Sequence, residues 1–161
     1  HPHVFGEVDV ADAQEVLKNW DKIKTSEKGG EVKESVLAGV PGSLPALHRA
    51  MIVSKRAARC GFEWPDLDAV WLKVREEEKE FLEACDGGDR EKMASELGDL
   101  LFTYVNVARW LELDAEEALR RMLGRFTKRF QAMESLSDLP LSELSSEAWD
   151  DLWVAAKRQC G

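Results

Sequence analysis

Apolar residues recur at helical spacing through the segment 93–111, and this periodicity constrains the fold more than any other feature of the sequence. At about 100° per residue, one broad stripe collects most of the apolar side chains: Met93, Leu97, Leu100, Leu101, Tyr104, Val107, Ala108 and Leu111. Such a stripe is typical of a helix in a protein core. A narrow polar slot remains, and it contains Glu96, Asp99, Thr103 and Asn106.

Helical periodicity also dominates the rest of the chain, and no alternating strand pattern stands out, so we predict an all-α fold. The predicted helices cover about residues 10–27, 43–61, 66–87, 89–113, 114–136 and 145–159. Ser43, Asp66 and Asp89 precede three of these segments as candidate N-caps. Asp114 and Glu117 have the spacing of a capping box. The third and fourth segments should therefore form a helical hairpin.

Length and charge limit the organisation and the partners. With 161 residues, of which 44% are hydrophobic, the chain can bury one sizeable core, so we expect one domain over 1–161 with a helical core of about 43–136. A formal net charge of −9 disfavours a nucleic-acid polymer as partner. No apolar run approaches the roughly 20 residues of a membrane span, and the first ten residues do not resemble a signal peptide.

The cysteines indicate a reducing compartment. Cys60, Cys85 and Cys160 are odd in number and widely spaced, which predicts neither a disulfide framework nor a zinc site. We therefore expect a cytoplasmic protein. The sequence begins with His1 rather than Met, as a fragment or a processed chain would.

Two pairs of carboxylates lie on the predicted hairpin. Glu96 and Asp99 stand in the polar slot, and Glu77 and Glu80 have the same spacing on the preceding helix, where Glu76 is four residues before Glu80. Antiparallel helices can present both pairs to one point. Two alternatives remain open: a pair between Glu96 and Lys92 with Asp99 facing solvent, or an acidic run 75–80 that forms a solvated face.

Converging carboxylates repel one another unless a cation lies between them. Hard oxygen ligands without His or Cys select Mg²⁺, with Mn²⁺ as a possible substitute. Ferritin-like di-iron bundles also use carboxylates from facing helices, but they require Glu-x-x-His motifs. No His lies three residues after any of these acids, and His48 is the only His outside the first three residues, so a di-iron site is disfavoured.

The acidic motifs resemble those of the MazG nucleoside triphosphate pyrophosphohydrolases. "EEEKE" at 76–80 contains Glu-Glu-x-x-Glu, and "ELGD" at 96–99 contains Glu-x-x-Asp, with 15 residues between Glu80 and Glu96. Further segments are similar to MazG sequences in the same order: "HPHVFG", "GVPGSLPALHRA", "RAARCGFEWPD", "ELGDLLFTYVNVAR" and "RFTKRF". The resemblance covers most of the chain and is strongest to the second, catalytic domain of the longer bacterial MazG proteins.

This resemblance implies an all-α bundle completed by homodimerisation and Mg²⁺-dependent hydrolysis of nucleoside triphosphates to the monophosphate and pyrophosphate. It places the metal ligands at Glu77, Glu80, Glu96 and Asp99. Carboxylate-held Mg²⁺ can neutralise phosphate charge and activate water for attack on the α-phosphorus. Glu76 is a candidate to orient or deprotonate that water; a solvent-facing side chain is the alternative.

The resemblance also implies substrate contacts. Arg125 and Arg129 match basic positions that could grip phosphates, and guanidinium groups suit this task; a solvated basic face is the alternative. Lys92 and Lys73 could reach phosphate or only pair with nearby acids. Candidate contacts to the base or sugar are the aromatic residues Phe62, Trp64 and Trp153, which could equally belong to the core, and Asn106.

Two other functions stay open at this level. One is a non-catalytic helical dimer that binds nucleotide or protein partners and uses its acids for solubility. The other is an enzyme of the same chemistry restricted to one non-canonical or deoxy nucleotide, which comparative kcat/KM values would separate from a broad enzyme. The residues give no indication for or against an alarmone such as ppGpp as substrate.

Overall fold

The computed structural model describes residues 33–161 and contains five α-helices in this range. They are α1 (Ala46–Arg59), α2 (Leu67–Gly87), α3 (Arg90–Trp110), α4 (Ala115–Leu136) and α5 (Ser146–Cys160), with a short 3₁₀ helix at Leu141–Glu143. No strand occurs among these residues, so the predicted all-α fold is confirmed. The helix predicted over about 10–27 lies outside the described residues.

Local sequence signals fix the hairpin of α2 and α3. Asp66 caps α2, because its carboxylate accepts a hydrogen bond from the Ala69 N–H at 2.8 Å. Asp89 caps α3 by accepting from the N–H groups of Glu91 and Lys92 at 3.1 and 3.3 Å. Gly88 ends α2 with a φ of 73°, a conformation that glycine adopts without strain. This short connection makes the two helices antiparallel.

The predicted cap at Ser43 is wrong. α1 begins at Ala46, and its N-cap position is Pro45, which forms no capping hydrogen bond through its side chain. The residue that precedes a proline is disfavoured in helical conformation, so Leu44 cannot extend the helix towards Ser43. The start of α1 is therefore set by Pro45.

The described residues form two compact units, one that ends at Ala115 and one that begins at Glu116. In the first unit α2 packs along α3, and α1 packs on α3. Its core consists of buried residues from both hairpin helices with three half-buried neighbours: Val70, Val74, Val107 and Trp110, with Trp64, Leu67 and Leu100. The expectation of a single domain over 1–161 stays a prediction.

The second unit is built on α4 and α5. Its core is formed by Ala132, Met133 and Ala156, against which Phe130, Trp149, Leu152 and Trp153 pack. Ser145 caps α5 by accepting a hydrogen bond from the Ala148 N–H at 3.2 Å. Three of the seven residues of this cluster are aromatic, namely Phe130, Trp149 and Trp153.

The apolar stripe of α3 is buried only in part, contrary to the core helix that the pattern suggested. Leu97, Leu101, Tyr104 and Leu111 are 42–50% exposed. The polar slot is buried in its second half instead: Thr103 and Asn106 are buried, whereas Glu96 is half-buried and Asp99 is exposed. Sequence periodicity distinguishes the two faces of a helix, but it does not determine which face packs against other helices of the same chain.

The three cysteines, all in the described part of the chain, are free and exposed. Within residues 33–161, no helix combines the length and the apolarity needed to cross a lipid bilayer.

Candidate metal site

Three of the four predicted metal ligands come together on the hairpin. Glu77 of α2 and Glu96 and Asp99 of α3 each offer one carboxylate oxygen, and these oxygens lie within 4.8 Å of one another. Because α2 and α3 are antiparallel, residues equally far from the Gly88 turn face each other along the two helices. The structure therefore brings two distant acidic motifs to one place.

The carboxylates of this cluster are incompletely satisfied. Glu77 is only 7% exposed and Glu96 is half-buried. Within the described part of the chain, the Oε2 atoms of both residues are buried without a hydrogen-bond partner. A buried carboxylate oxygen without a donor or cation costs free energy of folding. A ligand set made only of oxygen atoms, without nitrogen or sulfur, suits a hard divalent cation such as Mg²⁺ or Mn²⁺. These residues therefore fit such an ion.

Glu80, the fourth predicted ligand, lies beside the cluster and is half-buried. The pKa of its carboxyl group is raised, first by the negative charge of Glu77, then by burial and by the charge of Glu96. Glu80 is thus close enough to be repelled by carboxylates of both helices, Glu77 on α2 and Glu96 on α3. It is not one of the three residues whose oxygens converge. Its role as a ligand stays a prediction.

Lys73 holds two of the acidic residues of α2. Its Nζ atom lies 3.1 Å from Oε1 of Glu77 and 3.3 Å from Oε2 of Glu76. The hydrogen bond to Glu77 is the main reason why the pKa of Lys73 is raised, while burial acts in the opposite direction. Glu76 itself is largely exposed. The predicted role of Glu76 towards water and that of Lys73 towards phosphate both stay predictions.

The two alternatives for the acids can now be compared with the structure. The acidic run is not a solvated face throughout, because Glu77 is buried, although Glu76 and Glu78 are exposed. In the other alternative, Asp99 faces solvent and Glu96 pairs with Lys92. Asp99 is exposed, but Lys92 is also exposed, and among the described ion pairs none joins it to Glu96. Lys92 as a phosphate contact stays a prediction.

The predicted aromatic contacts in the α1–α2 loop differ in exposure. Phe62 is 82% exposed, and Trp64 is half-buried against the core of the first unit. Trp64 therefore has a packing role that the structure accounts for, while Phe62 presents its ring to solvent. Binding of a base by either residue stays a prediction.

Asn106 belongs to a buried polar network. Its Oδ1 accepts hydrogen bonds from Ser54 Oγ at 2.5 Å and from the Arg109 guanidinium at 3.1 Å, and its Nδ2 donates to the Phe102 carbonyl at 3.0 Å. Asn106 is 3% exposed. The structure thus gives it a role in joining α1 to α3, and the predicted contact to sugar or base stays a prediction.

Sequence reasoning missed the centre of this network. Arg109 donates to Ser54 Oγ at 2.7 Å and to both carboxylate oxygens of Glu63, and Trp110 Nε1 donates to Glu63 at 2.9 Å. Arg109 follows Asn106 by three residues and therefore continues the polar slot by one helical turn, a local signal that the sequence does offer. Ser54 and Glu63 come from α1 and the α1–α2 loop, so no local spacing could have identified them as partners.

The remaining predicted residues lie in the second unit. Arg125 is exposed. Arg129 donates through Nε and a terminal nitrogen to the backbone oxygen of Gly161 at 3.1 and 2.8 Å. The guanidinium of Arg129 and the ammonium of Lys157 each lie 5.5 Å from the centre of the Trp153 ring, distances typical of cation–π contacts. Substrate binding by Arg125, Arg129 and Trp153 stays a prediction.

Comparison with known proteins assigns the domain. Residues 67–133 match the MazG nucleotide pyrophosphohydrolase domain. Over 99% of its length the chain is 38% identical to a nucleoside triphosphate pyrophosphohydrolase of Escherichia coli K12, of which it covers 62%. It is 40% identical to the nucleoside triphosphate pyrophosphohydrolase/pyrophosphatase MazG of Thermotoga maritima, with 98% of this chain and 60% of the relative covered.

A third relative shows that the same segment occurs in longer proteins. The chain is 42% identical to the Bacillus subtilis protein YabN over 98% of its own length, but this covers only 33% of YabN. The chain thus spans about 60% of the two pyrophosphohydrolases and a third of YabN. The matched MazG domain covers residues 67–133 and so includes the whole α2–α3 hairpin with its acidic cluster.

Proposed function

We propose that this domain hydrolyses nucleoside triphosphates to nucleoside monophosphate and pyrophosphate, and that it requires Mg²⁺ for this reaction. The observation that carries the proposal is the convergence of Glu77, Glu96 and Asp99, with two buried carboxylate oxygens that have no partner in the described residues. The E. coli and T. maritima relatives, which are named as nucleoside triphosphate pyrophosphohydrolases, support the substrate class.

The cluster provides the binding site for the ion. Glu77, Glu96 and Asp99 would bind the ion. Glu80 lies close enough to interact electrostatically with Glu77 and Glu96. Bound Mg²⁺ supplies positive charge for the phosphate oxygens and lowers the pKa of water, and Mn²⁺ could replace it. The exposed carboxylate of Glu76 would accept the proton of the attacking water. The water oxygen then bonds to the α-phosphorus while the bond from that phosphorus to the bridging oxygen breaks.

The first test is a substrate panel. The purified chain is incubated with ribo- and deoxynucleoside triphosphates, each with Mg²⁺ or with a chelator, and the products are separated by chromatography. We expect monophosphate and pyrophosphate only when the metal is present. Orthophosphate with a nucleoside diphosphate would contradict the proposed reaction, and absence of turnover across the panel would favour a binding function. The ratio of kcat/KM values shows whether one base or sugar is preferred.

Labelled water locates the attacked phosphorus, because attack at the α- or the β-phosphorus gives the same two products. In H₂¹⁸O, attack at the α-phosphorus places the heavy oxygen in the monophosphate. Attack at the β-phosphorus places it in pyrophosphate, and mass spectrometry distinguishes the two. We expect the label in the monophosphate, with no label in pyrophosphate.

We further propose that the exposed stripe of α3 pairs with the same stripe of a second copy. Leu97, Leu101, Tyr104, Ala108 and Leu111 alternate at spacings of four and three residues, the pattern of a helix–helix seam. If two such helices cross antiparallel at Tyr104, Leu101 faces the small Ala108 and Leu97 faces Leu111. A stripe that complements itself in this way suits a twofold interface. Contiguous exposed apolar surface also marks association sites.

The pairing predicts the effect of a charge in the stripe. Leu101→Glu should raise the dimer dissociation constant by at least about a hundredfold, because the twofold axis places two carboxylates in an apolar interface. Sedimentation over a range of protein concentrations measures this constant. Leu139→Glu is the control, since Leu139 is similarly exposed at 54% but lies between α4 and α5. A monomeric parent chain, or equal effects of both substitutions, would contradict the proposal.

A cytoplasmic location remains part of the proposal. Cys60, Cys85 and Cys160 are free and exposed. Exposed free thiols are most compatible with a reducing compartment.

A further inference from the structure

We infer that Lys73 is the built-in counter-cation of the acidic cluster and that it competes with a divalent metal for Glu77. The inference rests on the proposed metal-dependent function. It goes beyond that function by assigning to Lys73 an effect on metal affinity, which is distinct from a contact with substrate.

The first step is the position of Lys73. It precedes Glu77 by four residues on α2, so the two side chains lie on the same face of the helix. Nζ of Lys73 is 3.1 Å from Oε1 of Glu77, and the side chain of Lys73 is 35% exposed. Among the ion pairs of the described residues, this is the one that involves a member of the converging cluster.

The second step is the state of the Glu77 carboxylate. One of its oxygens is bound by Lys73, and the other, Oε2, is buried without a partner in the described part of the chain. Glu77 is more than nine-tenths buried. Lys73 therefore pairs with one of the two carboxylate oxygens of Glu77. Without Lys73, Glu77 would be a buried negative charge with no counter-ion. The unpartnered oxygen is the one left to accept a further cation.

A divalent cation bound between Glu77, Glu96 and Asp99 would share the Glu77 carboxylate with the ammonium group of Lys73. Two positive charges near one carboxylate repel each other, and at a partly buried site this repulsion is only partly screened. Lys73 thus stabilises the cluster without metal and lowers its affinity for metal. Removal of the ammonium should tighten metal binding.

The test is calorimetric titration of the full chain with MgCl₂ alone, in the absence of nucleotide. Lys73→Met is expected to lower the dissociation constant for Mg²⁺ about tenfold, and less at high salt. Lys73→Arg, which keeps the charge, should stay within about threefold of the parent. Lys79→Met removes the same charge from the same helix, but Lys79 is 78% exposed and pairs only loosely with Glu83 at 3.9 Å. That control should leave the constant unchanged.

A second readout follows stability. With a chelator present, Lys73→Met should lower the Tm by roughly 3–6 °C, because Glu77 loses its counter-ion. Saturating Mg²⁺ should largely remove this difference, because tighter metal binding stabilises the folded variant more. Lys73→Gln provides the same comparison if the methionine variant does not fold.

Three results would overturn the inference. Unchanged or weaker Mg²⁺ binding by Lys73→Met would mean that Lys73 is neutral or orients Glu77 for the metal. An equal gain in Mg²⁺ affinity in Lys79→Met would mean that the effect comes only from the change in net charge. A parent chain that binds no Mg²⁺ would remove the proposed metal function together with the inference. In the first two results the parent still binds metal, so the failure of the inference is distinguishable from the failure of the proposed function.

Discussion

Glu77→Gln is expected to lower metal-dependent kcat/KM by about a thousandfold or more while the helices remain intact. The substitution keeps the shape of the side chain and replaces its charged oxygen ligand by a neutral amide. A divalent ion at a phosphoryl group supplies several kcal/mol of charge stabilisation, and about 4 kcal/mol corresponds to a thousandfold in rate. Asp99→Asn should behave in the same way, because Asp99 belongs to the same three converging carboxylates.

A matched control separates loss of the ligand from loss of charge. Glu83→Gln removes one negative charge from α2 with the same chemistry, at a residue that is exposed and outside the cluster. Its kcat/KM should equal that of the parent. Circular dichroism verifies the helices of all three variants, and titration with MgCl₂ verifies the loss of metal binding in the cluster variants. Parent-level turnover by Glu77→Gln or Asp99→Asn would refute the metal assignment.

Much of the hairpin could be predicted from local signals because its determinants lie close together in the sequence. The signals that end and begin these helices act on backbone groups only a few residues away. The structure has the predicted N-caps at Asp66 and Asp89 and the predicted helix end at Gly88. Once the hairpin is defined, the two acidic motifs must face each other. This is why three converging carboxylates could be anticipated before any coordinates were known.

The burial of Thr103 and Asn106 could not be predicted from local signals, because it depends on partners far away in the sequence. A polar slot that contains Thr103 and Asn106 looks like a solvent-facing strip. Asn106 can be buried because Ser54 of α1 and Arg109 of α3 donate hydrogen bonds to its side-chain oxygen. The larger apolar side chains, such as Leu101, are then left on the exposed side. Hydrophobicity alone would have ranked the two faces in the opposite order.

The same network accounts for the second large effect, on stability. Arg109→Met is expected to lower the free energy of unfolding of the first unit by about 2–3 kcal/mol, because the ion pair with Glu63 is only partly buried while the hydrogen-bond partners Ser54 and Asn106 are buried. The Arg109 side chain is 12% exposed, and that of Glu63 is 24% exposed. Without the guanidinium, the Glu63 carboxylate keeps the Trp110 N–H as a donor. Ser54 and Asn106 also lose a common partner.

Chemical denaturation of a double-mutant cycle measures the pairwise part of this effect. The variants are Arg109→Met, Glu63→Gln and their combination, and the combined loss should be clearly smaller than the sum of the single losses. Arg121→Met is the control, because Arg121 pairs with Glu117 at 3.1 Å but is 73% exposed. Exposed pairs of this kind contribute about 0.5 kcal/mol or less. If Arg109→Met costs no more than Arg121→Met, the network does not hold α1 and the α1–α2 loop on α3. In that case the burial of Thr103 and Asn106 must have another cause.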